Sequence, residues 1–352
     1  MVSSLYIMGF GYSGKTAICL GLGQKFLEQK KKVGYMKPVT LTTKLVDGEP
    51  TDDDIKLMKK VFGLSESMDQ LSPVRVTYRY ITELEKTEPL KKITKAFETV
   101  SKDKDIVILE STVYPEILLS YNSSACQIAK ELNAKILFVV QGDKDSVVDH
   151  LLLYKELTKN IGVELIGVII NNVPHHLFER FRGIIVPFLE EHGIQVFGVI
   201  PEKIELTAPT VRDILTHLGG ELIAGRDNLD NIVEEFLVGA MTPESALKYF
   251  RRSKQKAVIT GGDRADIALA ALETSTNLLL LTGNLYPSVQ VIEAAKEKNV
   301  PVLVVPYDTY TTITKLDELT GKISPEDKNK IKATLDVVEK HIDWKAIINK
   351  LK

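Results

Sequence analysis

The chain has 352 residues, 44% of them hydrophobic and 26% charged, with a formal net charge of −2. That length predicts two or three domains with ample core material, and the near-neutral charge gives no electrostatic case for nucleic acid. No apolar run approaches the roughly 20 residues needed to span a bilayer, and the N-terminus lacks a signal-peptide pattern, so a cytoplasmic protein with no membrane partner is expected. Cys19 and Cys126 lie far apart and outside any C-x-x-C spacing, as small core residues of a reducing compartment do.

Taken in chain order, the apolar run Leu5–Met8 leads into "GFGYSGKT", residues 9–16, which matches G-x-x-x-x-G-K-[ST] without a mismatch. Gly9 and Gly14 permit backbone conformations that aim N–H groups inward, and the following helical pattern Lys15–Gln29 offers its positive end. Lys15 is placed to neutralise β- and γ-phosphates, and Thr16 to ligate Mg²⁺. Lys30, Lys31 and Lys32 fall where that helix ends and read as solvated dipole partners. Further strand candidates are Val33–Met36, Ile106–Glu110, Ala134–Val140, Leu165–Asn171 and Gln195–Ile200. The helical patterns between them are Asp53–Phe62, Leu90–Lys102, Ser120–Leu132, Ser146–Asn160 and Leu177–His192. Such alternation predicts an α/β protein with a parallel sheet covered on both faces. The polar stretch Asp47–Val74 predicts loops near the phosphate site.

Several residues at strand ends carry chemistry. Glu110 closes the apolar run "DIVILE", where an acid at the carboxyl edge of a parallel sheet faces the ligand crevice. Lys37 follows another apolar strand and precedes Pro38; it suits a transferring phosphoryl group or simple solvation. Asp52, Asp53 and Asp54 suit a metal site, a helix start capped by Thr51 or Asp52, or both. Asn171 and Asn172 before Val-Pro suit an adenine edge or a turn.

After Pro201 the polar passage "EKIELTAPTVRD" marks a domain boundary. A second βα rhythm follows, with strand candidates Glu221–Ala224, Ile232–Val238, Ala257–Thr260, Leu278–Leu281 and Val302–Val305. Helical patterns there are Pro243–Phe250, Arg264–Leu272, Val289–Lys298 and Tyr310–Leu319. Gly261, Gly262, Asp263 and Arg264 form a strand-to-helix loop that either grips a small anionic ligand or braces a tight turn through an Asp–Arg pair. The tail Ser324–Lys352 opens with "SPED" and reads as one helix with few apolar residues. The division expected is 1–206, 207–322 and 323–352.

The order of P-loop, "VGYMKPV", acidic helix start, Glu110, "IINNVP" and "VFGVIPE" resembles the dethiobiotin synthetase type of P-loop protein over about residues 1–205. The resemblance implies an ATP-using fold related to cobyrinic acid amide synthases and partition ATPases. It implies a cradle of Gly9, Gly11, Tyr12, Ser13, Gly14, Lys15, Thr16 and Ala17, with Lys15 and Lys37 as phosphate and substrate charges. Thr16, Glu110 and an acid of the 52–54 group, taken as Asp53, become Mg²⁺ ligands, and Asn171 or Asn172, with Pro201, the adenine contact. One departure is plain: Glu110 is followed by "STVYPEILLSYNSSA", with no glycine, where dethiobiotin synthetases carry a glycine-rich substrate loop.

A closer likeness is to the N-terminal region of long phosphotransacetylases. "TVRDILTHLGGELIAG", "VGAM", "VITGGDRADIALAAL", "LLLTGNLYP" and "VPVLVVPYDTYTTI" resemble the DRTGG domain over about 207–322. By that likeness a chain ending at Lys352 is expected to lack the acetyl-transferring domain. Three functions are then in view: a Mg·ATP-dependent regulatory ATPase whose DRTGG domain senses a ligand, a carboxylate- or carbamate-amine ligase, and an interaction protein using ATP for stability. The resemblance also implies a homodimer.

Overall fold

The computed structural model describes residues 2–41, 45–46, 49–50, 52–77, 79–85, 87–317, 319 and 321–351. Two compact units emerge, one made of Met1–Lys203 with Ile323–Lys352 and the other of Ile204–Lys322.

The first unit is built from β1 (Ser3–Gly9), α1 (Lys15–Glu28), β2 (Val33–Met36), α2 (Asp53–Phe62), α3 (Pro89–Val100), β3 (Ile106–Glu110), α4 (Ala125–Glu131), β4 (Lys135–Gln141), α5 (Ser146–Ile161), β5 (Leu165–Val173), α6 (Val186–Glu191) and β6 (Val196–Pro201). Six of its strands pair in parallel in one sheet, in the order β6-β5-β4-β1-β3-β2. Every residue of β3 is buried, as the unbroken apolar runs require when helices cover both faces. The register pairs Ile7 with Glu110, so the acid lies level with the start of the glycine loop.

Two helical patterns resolve differently from a plain reading. The 120–132 stretch becomes α4 only from Ala125, because Ser124 and Gln127 form a capping box there. The 177–192 stretch is broken by a π-helical turn at Phe181–Ile185 before α6. Pro187 lacks the N–H that a regular α-helical ladder needs at that point.

The second unit holds α7 (Val211–Leu218), β7 (Glu221–Ala224), β8 (Glu235–Val238), α8 (Pro243–Phe250), β9 (Lys256–Gly261), α9 (Ala265–Leu272), β10 (Thr276–Thr282), α10 (Val289–Glu297), β11 (Val302–Val304) and α11 (Thr309–Asp317). The sheet order is β7-β11-β10-β9-β8, parallel except for β7. Strands β8 to β11 are added side by side in one direction, and right-handed crossovers then put α8, α9 and α10 on one face. Phe250, Ile267 and Val291 of those helices share a core with Val258, Leu279 and Leu281. Val211, Ile214 and Leu316 of α7 and α11 cover the other face with Ile259, Leu280 and Leu303.

The tail returns to the first unit as two helices, α12 (Lys328–His341) and α13 (Trp344–Lys350), rather than one. Between them Ile342 is extended and bridges Gly198, while the Asp343 N–H donates to the Phe197 carbonyl at 2.7 Å. The Asp343 carboxylate then caps α13 by accepting from the Ala346 N–H. Val338 of α12 fills the space that a side chain on Gly21 of α1 would need. Lys25 of α1 pairs with Glu339 at 2.6 Å and lies 5.6 Å from the Trp344 ring centre. Replacing Gly21 with Val is expected to force these helices apart and cost about 1–3 kcal/mol of stability, read as a lower urea midpoint; an unchanged midpoint would show that α12 does not seat on α1.

Candidate functional site

The glycine loop between β1 and α1 is held from several sides. The Asn171 side-chain N–H donates to the Ser13 carbonyl at 2.9 Å, and Lys15 Nζ donates to the Phe10 carbonyl at 2.7 Å. Gly14 takes φ +85°, and a side chain there would overlap the Asn171 amide. Gly9 likewise lies too close to the Val139 carbonyl to carry a Cβ, and a Cβ on Gly11 would stand 2.7 Å from Val113. The Phe10 ring packs against Phe138, His150 and Tyr154. Tyr12 also has a left-handed backbone, φ +60°, which costs a bulky residue about 1–3 kcal/mol.

Helix α1 starts with no side-chain cap and no acid in its first turn. The first-turn N–H groups, those of Lys15, Thr16 and Ala17 among them, have no helical partner by construction. With the dipole behind them, they form a positive end left open to an anion.

Glu110 is the centre of the charged groups. Thr16 Oγ1 donates to one of its oxygens at 2.7 Å and the Tyr35 hydroxyl to the other at 2.7 Å. Burial raises the Glu110 pKa, against the pull of Lys37 and of those two donors. Burial also lowers Lys15 to about 8, partly opposed by Glu110. For Lys37 burial pulls the same way, but Asp54 and Asp52 outweigh it and hold the ammonium well above its usual range. Lys37 meets Asp54 at 2.6 Å and Asp52 at 2.9 Å. Cys19, a turn along α1 from Lys15, is buried beside Glu110, and burial raises its thiol pKa. No group of three or more His, Cys, Asp or Glu gathers as a metal cage among the described residues. The oxygens present, Thr16 and Glu110 at the open end of α1, suit Mg²⁺, which takes few protein ligands and completes its shell with water and phosphate.

Lys15, Thr16, Lys37 and Glu110 are thus brought together, whereas Asp53, the acid taken from the 52–54 group, is not. Asp53 is turned to solvent, where it pairs with Lys56 at 3.4 Å. Asp52 has become the N-cap of α2, accepting from the Asp54 and Ile55 N–H groups, and that cap sets the helix rotation that turns Asp54 inward. The alternative cap, Thr51, lies outside the described residues, as do residues 47 and 48 of the polar stretch. Asn171 directs a side-chain N–H to the Ser13 carbonyl of the loop. Asn172, φ +52°, and Pro201 close β5 and β6 at the same carboxyl edge of the sheet. Tyr35 was missed; its signal is a tyrosine inside a buried strand, whose hydroxyl needs a partner.

In the second unit the loop 261–264 is braced. Arg264 grips Asp266 through both carboxylate oxygens, at 2.9 and 3.0 Å, and donates to the Met241 carbonyl. The Gly262 N–H goes to Thr282 O and the Arg264 N–H to Gly261 O. A side chain on Gly262 would run into the Leu285 carbonyl, so this glycine serves a close backbone approach.

Comparison with known proteins follows this division. Residues 3–210 match the AAA domain family, and residues 213–319 match the DRTGG domain. A phosphate acetyltransferase of Nitratidesulfovibrio vulgaris is 30% identical over 97% of this chain and 51% of its own length. One from Synechocystis is 26% identical over 100% of this chain and 52% of its own. The chain therefore spans about half the length of the curated relatives it matches. Among solved structures, the CBS and DRTGG domains of the regulatory region of Clostridium perfringens pyrophosphatase, complexed with the activator diadenosine tetraphosphate, align with 48% of this chain and 86% of that one at 20% identity, TM-score 0.30. FtsY of Thermotoga maritima aligns with 58% of this chain and 63% of that one at 16% identity, TM-score 0.37. No helix among the described residues is long and apolar enough to cross a membrane. With its glycine loop, uncapped helix and buried acid in a parallel sheet, the chain belongs to the AAA domain family of P-loop nucleotide-binding proteins and joins that domain to a DRTGG domain, consistent with the N-terminal region of phosphotransacetylases.

Proposed function

We propose that the chain binds Mg·ATP at the P-loop and works as a regulatory, ligand-sensing ATPase, with the DRTGG domain as its sensor. The observation that carries the reading is the open N-terminus of α1 beside the Thr16–Glu110 pair, 2.7 Å apart. Phosphate oxygens accept from the loop and first-turn N–H groups, and Lys15 leaves the Phe10 carbonyl to meet them. Three carboxylates, Glu110, Asp52 and Asp54, stand with only two lysines near this end, so a polyphosphate needs further positive charge. Thr16 and Glu110 would hold Mg²⁺, which would supply that charge and act as a Lewis acid toward phosphate oxygens. Lys37, released in part from Asp54, stabilises negative charge that builds there.

The loop after Glu110 favours regulation over ligation. Its Val113 closes on Gly11, and Ile117 and Leu118 are buried, so the loop is spent on packing rather than on cradling an acceptor. In this reading the half of a phosphotransacetylase that corresponds to this chain responds to nucleotide rather than transferring acetyl groups.

Lys15→Ala is expected to abolish ATP binding by calorimetry, and unchanged affinity would remove the P-loop from the account. Glu110→Gln keeps the shape and is expected to slow Mg²⁺-dependent hydrolysis far more than it weakens binding; equal losses would move the acid's role elsewhere. The pH dependence has a definite sign. Free Lys15 loses its proton near pH 8, while bound phosphate holds the proton on. ATP affinity should therefore fall as pH rises above about 8, by up to about tenfold per pH unit; a flat titration between about pH 7.5 and 9.5 would contradict it.

A further inference from the structure

The 261–264 loop of the second unit is closed by its own Arg264–Asp266 brace, but the opposite, amino edge of the same sheet carries a cavity of about 600 Å³. It lies where β9 and β10 begin, and α8, α9 and α10 end at its wall, through Arg251, Glu273 and Lys298. A volume of this size suits a small organic ligand. The walls are set in advance. Lys256 is fully buried, and its ammonium donates to the Ser275 carbonyl at 2.7 Å and the Ser253 carbonyl at 3.2 Å. One buried cation thus ties the loop after α8 to the loop after α9, and both loops line the cavity. Thr274 and Thr276 fasten the second loop again by donating to the Ala271 carbonyl at 2.8 and 2.7 Å.

Three cationic side chains line this space, Arg251, Lys254 and Lys298, and none of them has an ion pair or a side-chain hydrogen bond among the described residues. Glu273 is the one acid among the described residues that line it. Arg251 and Lys298 stand at helix C-termini, where a cation offsets the dipole. That role does not extend to Lys254, which lies beyond the helix end, nor does it balance the charge. Three helix ends carry about half a negative charge each. Together with Glu273 they fall short of the three lining cations and Lys256. The local excess is positive, in a chain whose net charge is −2.

We infer that this cavity binds a phosphorylated small molecule, its phosphate held by Arg251, Lys254 and Lys298. A forked guanidinium and two point-charge ammonium groups can reach a tetrahedral oxyanion from several sides at once. The DRTGG domain then has a ligand class and a place for it, on the edge of the sheet away from the 261–264 loop. Use of the cavity for sensing rests on the proposed regulatory function; its affinity for phosphate does not.

The test is calorimetric titration of the full chain with pyrophosphate, in a Lys15→Ala background so that the P-loop does not compete. Saturable binding of one pyrophosphate per chain is expected. Arg251→Gln and Lys298→Gln should each weaken it roughly five- to tenfold. Arg252→Gln removes the same charge one residue away, where the guanidinium lies 5.6 Å from the Tyr249 ring centre and outside the cavity, and should leave the affinity as it was. Absence of saturable binding would overturn the inference. So would equal weakening by Arg252→Gln, which would reduce the effect to general surface charge, or undiminished affinity in both cavity variants. Failure of the parent to bind ATP would instead defeat the proposed nucleotide function, a separate result that leaves the pyrophosphate titration standing.

Discussion

A carboxylate buried at the end of a central strand is the constraint around which the first unit is arranged. Glu110 stands at 1% exposure, where an unpaired negative charge is strongly unfavourable, so its oxygens must be satisfied. They are satisfied by the helix that starts at the phosphate loop, through Thr16, and by the neighbouring strand, through Tyr35. Removing one hydroxyl donor leaves a carboxylate oxygen unsatisfied at a cost of about 1–3 kcal/mol. The same contact therefore fixes the start of α1 against β2 and β3 and leaves an acid next to an open helix N-terminus. Stability and the proposed phosphate chemistry draw on one interaction.

The second ring of support is largely neutral. Asn171 holds the loop by a hydrogen bond from its side-chain N–H to the Ser13 carbonyl, Phe10 anchors it through aromatic packing, and the glycines make room rather than contacts. Lys37 is neutralised in advance by Asp52 and Asp54. In the proposed function an arriving phosphate chain competes with those acids for Lys37, which would link occupancy of the site to the start of α2. On the far side of α1, Val338 and Glu339 brace the helix from the returning tail. The chain leaves this unit just after β6 and re-enters it through α12, and backbone bonds at Phe197–Asp343 and Gly198–Ile342 tie exit to return.

Much of this was legible in the sequence where the signal is local. The glycine and lysine spacing after an apolar strand specifies the loop, and an acid at the end of "DIVILE" can only face a crevice. What escaped reading depended on rotation and on distant partners. Asp52, Asp53 and Asp54 are chemically alike, and it takes the cap formed by Asp52 together with burial of Ile55, Leu57 and Met58 to bring Asp54 to Lys37 and leave Asp53 in solvent. Tyr35 looks like any core aromatic until its hydroxyl is followed to Glu110, 75 residues away. Asn171 offers the same amide to a base or a backbone, and the carbonyl it meets is 158 residues away. In the second unit both readings of the 261–264 loop rested on the same residues; the brace forms because Asp266 is two positions from Arg264, close enough for a bidentate pair.

The central claim is that this buried acid and open helix form a site for Mg·ATP. Equilibrium titration of the full chain with ATP, run with and without Mg²⁺, tests it most directly. The account predicts saturable binding of one nucleotide per chain that tightens when Mg²⁺ is present. Absence of saturable binding under both conditions would contradict it.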